Sequence, residues 1–233
     1  MLLNYIKQKQ KHLMESQVDF YTPSGVHVYY KDPFHNGEID LEEIIATVET
    51  RIPEHLRAEI EMVIIGWFDE FEERDLTAFY DDGILHISNA HLDEESLYTD
   101  IVHEIAHSIE TPYGHTIYGD SKVKTEFLEK RQLMHDLLWQ RGYKAPLAFF
   151  MDPEYNEEFD RFLLEKIGYD KLSQLLQGVF ISPYAPTSLR EYFATGFAEY
   201  YLDSNHNFLQ QVSPQLYKKL FTIQDIEKLD TYG

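Results

Sequence analysis

Apolar positions change their rhythm along this chain. Near the start they fall in short runs of strand length; later they recur at three- and four-residue spacing. "VHVYY", Val26 to Tyr30, reads as a strand. "DLEEIIATVETRI" reads as a helix with Asp40 as its cap, Glu43 three residues on, and Leu41, Ile44, Ile45 and Val48 on one face. "EMVIIGW", Glu61 to Trp67, is a nearly continuous apolar run, as expected of a strand buried on both faces. "LTAFYDDGILHISNA" reads as a hairpin, with two β-rich arms around Asp81-Asp82-Gly83, where glycine supplies the positive φ of a tight turn.

From residue 93 onward the period is helical. "LDEESLYTDIVHEIAHSIE" opens on Asp93 as a cap. "DSKVKTEFLEKRQLMHDLLWQRG" follows and ends near Gly142. "EYNEEFDRFLLEKIG" and "YDKLSQLLQG" each close on a glycine, "SLREYFATGFAEYYLD" is a late helix, and "SPQLYKKLFTIQDIEKL" ends the series. Strands first and helices afterwards define an α+β order. We expect one domain, 1–233. In it a small mixed β-sheet lobe (1–92) precedes a metal helix (93–112), a helical insertion (113–183) and a final helical part (184–233).

Composition narrows the function. No apolar run approaches the roughly 20 residues of a membrane-spanning helix, and the N-terminal "MLLNYIKQKQKHLMESQ" lacks the features of a secretory signal. The expected location is therefore cytoplasmic unless the protein is exported by another route. There are no cysteines, so disulfides, thiol nucleophiles and thiolate zinc ligands are excluded. A net charge of -21 argues against nucleic-acid binding. It fits a self-repelling surface, or a cleft that attracts a basic substrate.

The chemistry lies in "TDIVHEIAHSIE", Thr99 to Glu110, which contains His103-Glu104-x-x-His107. Residues four apart share a helix face, so His103 and His107 can aim two imidazoles at one ion. Glu104, ~100° round from His103, flanks that ion as a general base for a zinc-activated water. Leu97, Ile101, Val102, Ile105, Ala106 and Ile109 occupy the opposite arc. With 11 His and 24 Glu in 233 residues, chance supplies roughly 0.05 such motifs.

A third ligand is needed. An extended H-E-x-x-H-x-x-G-x-x-H motif is absent: positions 110 and 113 are Glu and Tyr, and His115 is out of register. Glu191 and Glu199 in "SPYAPTSLREYFATGFAEYYLD" are the later candidates. From spacing alone, Glu191 is either a ligand or the return arm of a capping box with Ser188. "VHEIAH" followed by "PYAPTSLREYFATGFAEYY" resembles the anthrax lethal factor-like zinc peptidases (gluzincins), which include proline-proline endopeptidases. The resemblance spans about Val63 to Leu202 and is specific in those two segments. It implies one Zn²⁺ on His103, His107 and Glu191, with Glu104 as base and Tyr184, seven residues before the ligand Glu, as oxyanion donor. It also implies a zincin-like fold with the metal cleft between the two lobes. Further, it makes the strand containing Leu85, His86, Ile87 and Ser88 an edge that pairs with an extended peptide substrate.

Two departures stand out. Relatives often carry an acidic residue one turn after the ligand Glu, able to bond a ligand histidine; here that position is Thr195. Glu110, one turn after His107, is either the substitute or an exposed helix-end charge. The segment separating the two motifs is also longer than the compact relatives need. The expected function is a zinc-dependent endopeptidase acting on peptides or proteins. The alternative is a non-catalytic zincin-like binding or structural module, and a zinc hydrolase with a non-peptide substrate is a third reading. The sequence leaves oligomeric state and cleavage preference open.

Overall fold

A computed structural model describes residues 19–74, 76–202 and 205–225; the N-terminal segment read for a signal, and the last residues expected to be helical, lie outside them. The chain is α+β and forms two compact units, 1–108 and 109–233. Among the described residues no helix is long and apolar enough to cross a membrane.

The first unit is built on five strands, β1 (Asp19–Tyr21), β2 (His27–Tyr30), β3 (Met62–Gly66), β4 (Ala78–Asp81) and β5 (Ile84–Ser88). Their spatial order is β1-β2-β3-β5-β4. The inner strands β2, β3 and β5 run parallel, with antiparallel β1 and β4 at the two edges. The apolar run of β3 has its cause here: it is the central strand. Register aligns Val28, Val63 and Leu85 in one row and Ile65, Ile87 and Ala78 in the next, and all six are buried. At the β4–β5 turn both Asp82 (φ 40) and Gly83 (φ 87) have positive φ, the requirement of a two-residue hairpin of the I′ kind.

This order corrects one expectation. The strand of Leu85, His86, Ile87 and Ser88 is not an edge: β3 pairs with it on one side and β4 on the other. The hairpin turn folds β4 onto its outer side, so the edge on this side of the sheet is β4. Leu85, Ile87 and Ser88 are buried, and His86 stacks on Phe79 with ring centroids 4.4 Å apart.

Helix α1 (Leu41–Arg51) buries Leu41, Ile44, Ile45 and Val48, the expected face. Asp40 caps it by accepting from the Glu43 amide at 3.1 Å, but the Asp40 amide donates to Glu94 rather than to Glu43. A short helix α2 (Asp69–Arg74) leads into β4. Helix α3 (Glu94–Tyr118) starts with Asp93 accepting from the Ser96 amide at 2.7 Å. It continues six residues past Pro112, the expected end.

The second unit holds the end of α3 and the helices α4 (Lys122–Gln140), α5 (Leu147–Phe150), α6 (Glu157–Arg161), α7 (Tyr169–Leu175), α8 (Leu189–Leu202), α9 (Asn207–Val212) and α10 (Pro214–Ile223). The expected single helix "EYNEEFDRFLLEKIG" is α6 followed by a wider π turn over Phe162–Ile167, which ends at Gly168 with φ 87. Strand β1 and the short helices α2, α5 and α9 were not foreseen. Each has too few residues to establish a period.

Candidate metal centre

Helix α3 divides its residues as its sequence demands. Leu97, Ile101, Val102, Ile105, Ala106 and Ile109 are all at most 3% exposed. His103, Glu104 and His107 are half-buried on the other arc. The two imidazoles meet edge to face, with centroids 4.9 Å apart and planes at 75°.

Glu191 lies in the first turn of α8. Ser188, just before the helix, accepts a hydrogen bond from the Glu191 amide at 3.1 Å. The serine half of the capping box is therefore formed. One nitrogen from each of His103 and His107 and one carboxylate oxygen of Glu191 all lie within 4.8 Å of one another. No other such group occurs among the described residues, and Glu199, the rival candidate, is not part of it. The donor set suits zinc: two imidazoles and a carboxylate, with no thiolate.

Glu104 is held from the sheet. Its Oε2 accepts the backbone N–H of Tyr80 at 2.9 Å. Tyr80 sits opposite Leu85 in the β4–β5 register. In an antiparallel pair, successive residues point their backbone groups alternately toward and away from the partner. The Ser88 amide donates to the Thr77 carbonyl, so Tyr80, three residues on, turns its N–H away from β5. One of the outward N–H groups of the edge strand thus fixes the candidate base.

A second brace ties the ends of β4 and β5 to α3. Buried His91 places Nδ1 2.7 Å from the Ser88 carbonyl and Nε2 2.9 Å from Asp100. The Thr77 hydroxyl donates to the same Asp100 oxygen at 2.5 Å. Both ring nitrogens face acceptors, which an imidazolium alone satisfies. Burial pushes the His91 pKa down, but the bonds to Asp100 and Ser88 outweigh it and the net shift is upward.

The remaining expected site residues fall as follows. Tyr184 is half-buried and packs edge-on against Tyr169, with centroids 6.0 Å apart. Its carbonyl accepts from the Thr187 amide, closing the turn of Ala185–Thr187 that precedes α8. Glu110 accepts from Tyr118 at 2.7 Å and from Arg190, the neighbour of Glu191. It is therefore a brace on the start of α8 and not an exposed helix-end charge. Burial, with Glu110 close by, raises the Tyr118 pKa. Thr195 is half-buried one turn beyond Glu191.

Sequence reasoning missed Tyr80, Arg190 and three charged residues of α4. Glu126 accepts from the Tyr192 hydroxyl at 2.9 Å and from the amides of Gln215 and Leu216. Lys130 donates to the carbonyls of Val179 and Val212 and to Ser213, and burial pulls its pKa down to about 8. Arg131 is 1% exposed. The signal was present: Glu126, Lys130 and Arg131 share the helical face of Val123, Phe127, Met134 and Leu138, where charge is out of place.

Comparison with protein-family models, curated proteins and solved structures returned no match.

Proposed function

We propose that the protein is a zinc-dependent endopeptidase. What supports the reading is the juxtaposition of His103 and His107 with Glu191, which is far from them in sequence, in one group of donors. The resemblance to the lethal factor-like peptidases, carried by the two motif segments, points the same way. Bound by these three residues, zinc would supply a Lewis acid that lowers the pKa of water to about 7 and polarises a carbonyl.

The chain's own groups do the rest. Glu104 takes the proton of the attacking water and returns it to the leaving amine, while the Tyr80 N–H keeps the carboxylate in place. Tyr184 donates its phenol hydrogen to the oxygen that becomes negative in the tetrahedral intermediate. The substrate lies extended along β4, where the outward groups of Ala78 and the Tyr80 carbonyl, not the Tyr80 N–H that holds Glu104, take the role first expected of β5.

A peptide-library digest, with and without chelator, tests this. Zinc-loaded protein is expected to cut peptide bonds; chelation and Glu104→Gln are each expected to stop the cutting. A fully active Glu104→Gln variant would contradict the mechanism. An uncut library with zinc-loaded protein would contradict the activity.

A further inference from the structure

Arg131 bridges two backbone segments from inside the second unit. Its Nε donates to the Phe150 carbonyl at 2.8 Å, Nη1 to the Pro186 carbonyl at 2.6 Å and Nη2 to the Phe149 carbonyl at 3.4 Å. The guanidinium lies 3.8 Å from the centre of the Phe159 ring. Burial draws its pKa down to about 9, with Asp152 opposing the fall, so the group stays charged at neutral pH.

Burying this charge carries a desolvation cost that an apolar side chain of the same volume does not. Stability therefore does not explain an arginine here. A planar fork with fixed donors does something no apolar residue or lysine can: it sets the distance and angle between the Phe149–Phe150 carbonyls and that of Pro186. One of those carbonyls, that of Pro186, sits in the turn of Ala185–Thr187. Tyr184 precedes that turn and Ser188, the cap of α8, follows it.

We propose that Arg131 is a positioning residue: its fork fixes the Pro186 carbonyl, and with it the turn that aims Tyr184 and starts the helix bearing Glu191. Two further bonds share the task. The Leu189 amide donates to the Pro153 carbonyl at 2.7 Å, and Arg190 pairs with Glu110. Residues 113–183 then have a use for their extra length. They are the frame that holds the last ligand. What this segment does rests on the zinc-peptidase reading; how it is held does not.

The test compares Arg131→Met and Arg131→Lys with Leu138→Ala in the full chain. Leu138 is a fully buried residue of the same helix. Three quantities are measured where every variant is folded: hydrogen exchange over residues 184–191, zinc affinity by chelator competition, and KM and kcat on a cleaved peptide. Both Arg131 variants are expected to lose protection at the Thr187 and Leu189 amides. They should also bind zinc more weakly, on the order of tenfold, and lower kcat with KM unchanged. Leu138→Ala is expected to lower the melting temperature and leave all three quantities as in the wild type.

Unchanged exchange at 184–191 in the Arg131 variants, or losses that Leu138→Ala reproduces, would overturn the proposal. So would lost protection with zinc affinity intact. If Arg131→Met does not fold, Arg131→Lys decides alone. If the wild type takes up no zinc, the peptidase reading falls. Exchange at Thr187 and Leu189 then still decides whether Arg131 holds the turn.

Discussion

In the proposed mechanism the carboxylate of Glu104 must stay near the reacting water, and the backbone N–H of Tyr80 helps to hold it there. The position of Glu104 was legible from helical geometry alone. Its donor was not, because a backbone N–H has no side-chain signature, although the predicted hairpin already set its direction. Tyr80→Pro removes that N–H, and proline is tolerated on an edge strand where the N–H faces outward. It also removes the phenol oxygen that accepts from the Gly83 amide, so Tyr80→Ala is the control. We expect kcat to fall on the order of a hundredfold in Tyr80→Pro and little in Tyr80→Ala, measured on the same peptide. His91 gives a prediction in pH. Its folded pKa is raised above 6.5, so its bonds to Asp100 and Ser88 stabilise the fold fully below pH 6.5. The gain is lost as pH rises through the raised value. Denaturant titrations should show wild type exceeding His91→Leu by a margin that shrinks as the pH climbs.

At the scale of elements, α8 concentrates what was readable and what was not. Its extent and the candidacy of Glu191 came from the sequence. The sequence could not separate cap from ligand, because Ser188-x-x-Glu191 satisfies both patterns, and in the fold the serine cap is formed while a Glu191 oxygen lies in the His103–His107 group. Gly196 shows a similar limit. A Cβ there would lie 2.3 Å from Cδ2 and 3.1 Å from Cγ of Leu216, a fully buried residue of α10. The Leu216 side chain has to shift to admit that Cβ. Gly196→Ala gains about 1 kcal/mol in helix propensity but overpacks the α8–α10 contact by about 1–3 kcal/mol. The expected result in chemical unfolding is no gain or a net loss, and adding Leu216→Ala should relieve the overpacking part. Helix α3 outran its predicted end for a tertiary reason. Pro112 removes one internal bond, but Ile117 is fully buried and Tyr118 bonds Glu110 and packs on Phe193. The order of the sheet was the least legible feature. Parallel pairing of β2, β3 and β5 is made by crossovers that no local pattern encodes.

For the whole molecule, charge is the property that composition states outright. With 41 acidic and 20 basic residues, self-repulsion opposes compaction. Screening over about 10 Å at 0.1 M salt should relieve it, so the melting temperature is expected to rise with sodium chloride; a flat or falling profile would show that the charges are already balanced locally. The fold class was legible because strand and helix periods occupy different parts of the chain. The candidate centre was legible only as two fragments, one on α3 and one on α8, and their meeting is a property of the folded chain. That meeting is also the central claim, and metal content tests it most directly. Zinc per chain, measured by mass spectrometry on dialysed protein, is expected to be about one equivalent in the wild type and close to zero in a folded Glu191→Ala variant. A wild type without zinc, or a Glu191→Ala variant that keeps its full equivalent, would contradict it.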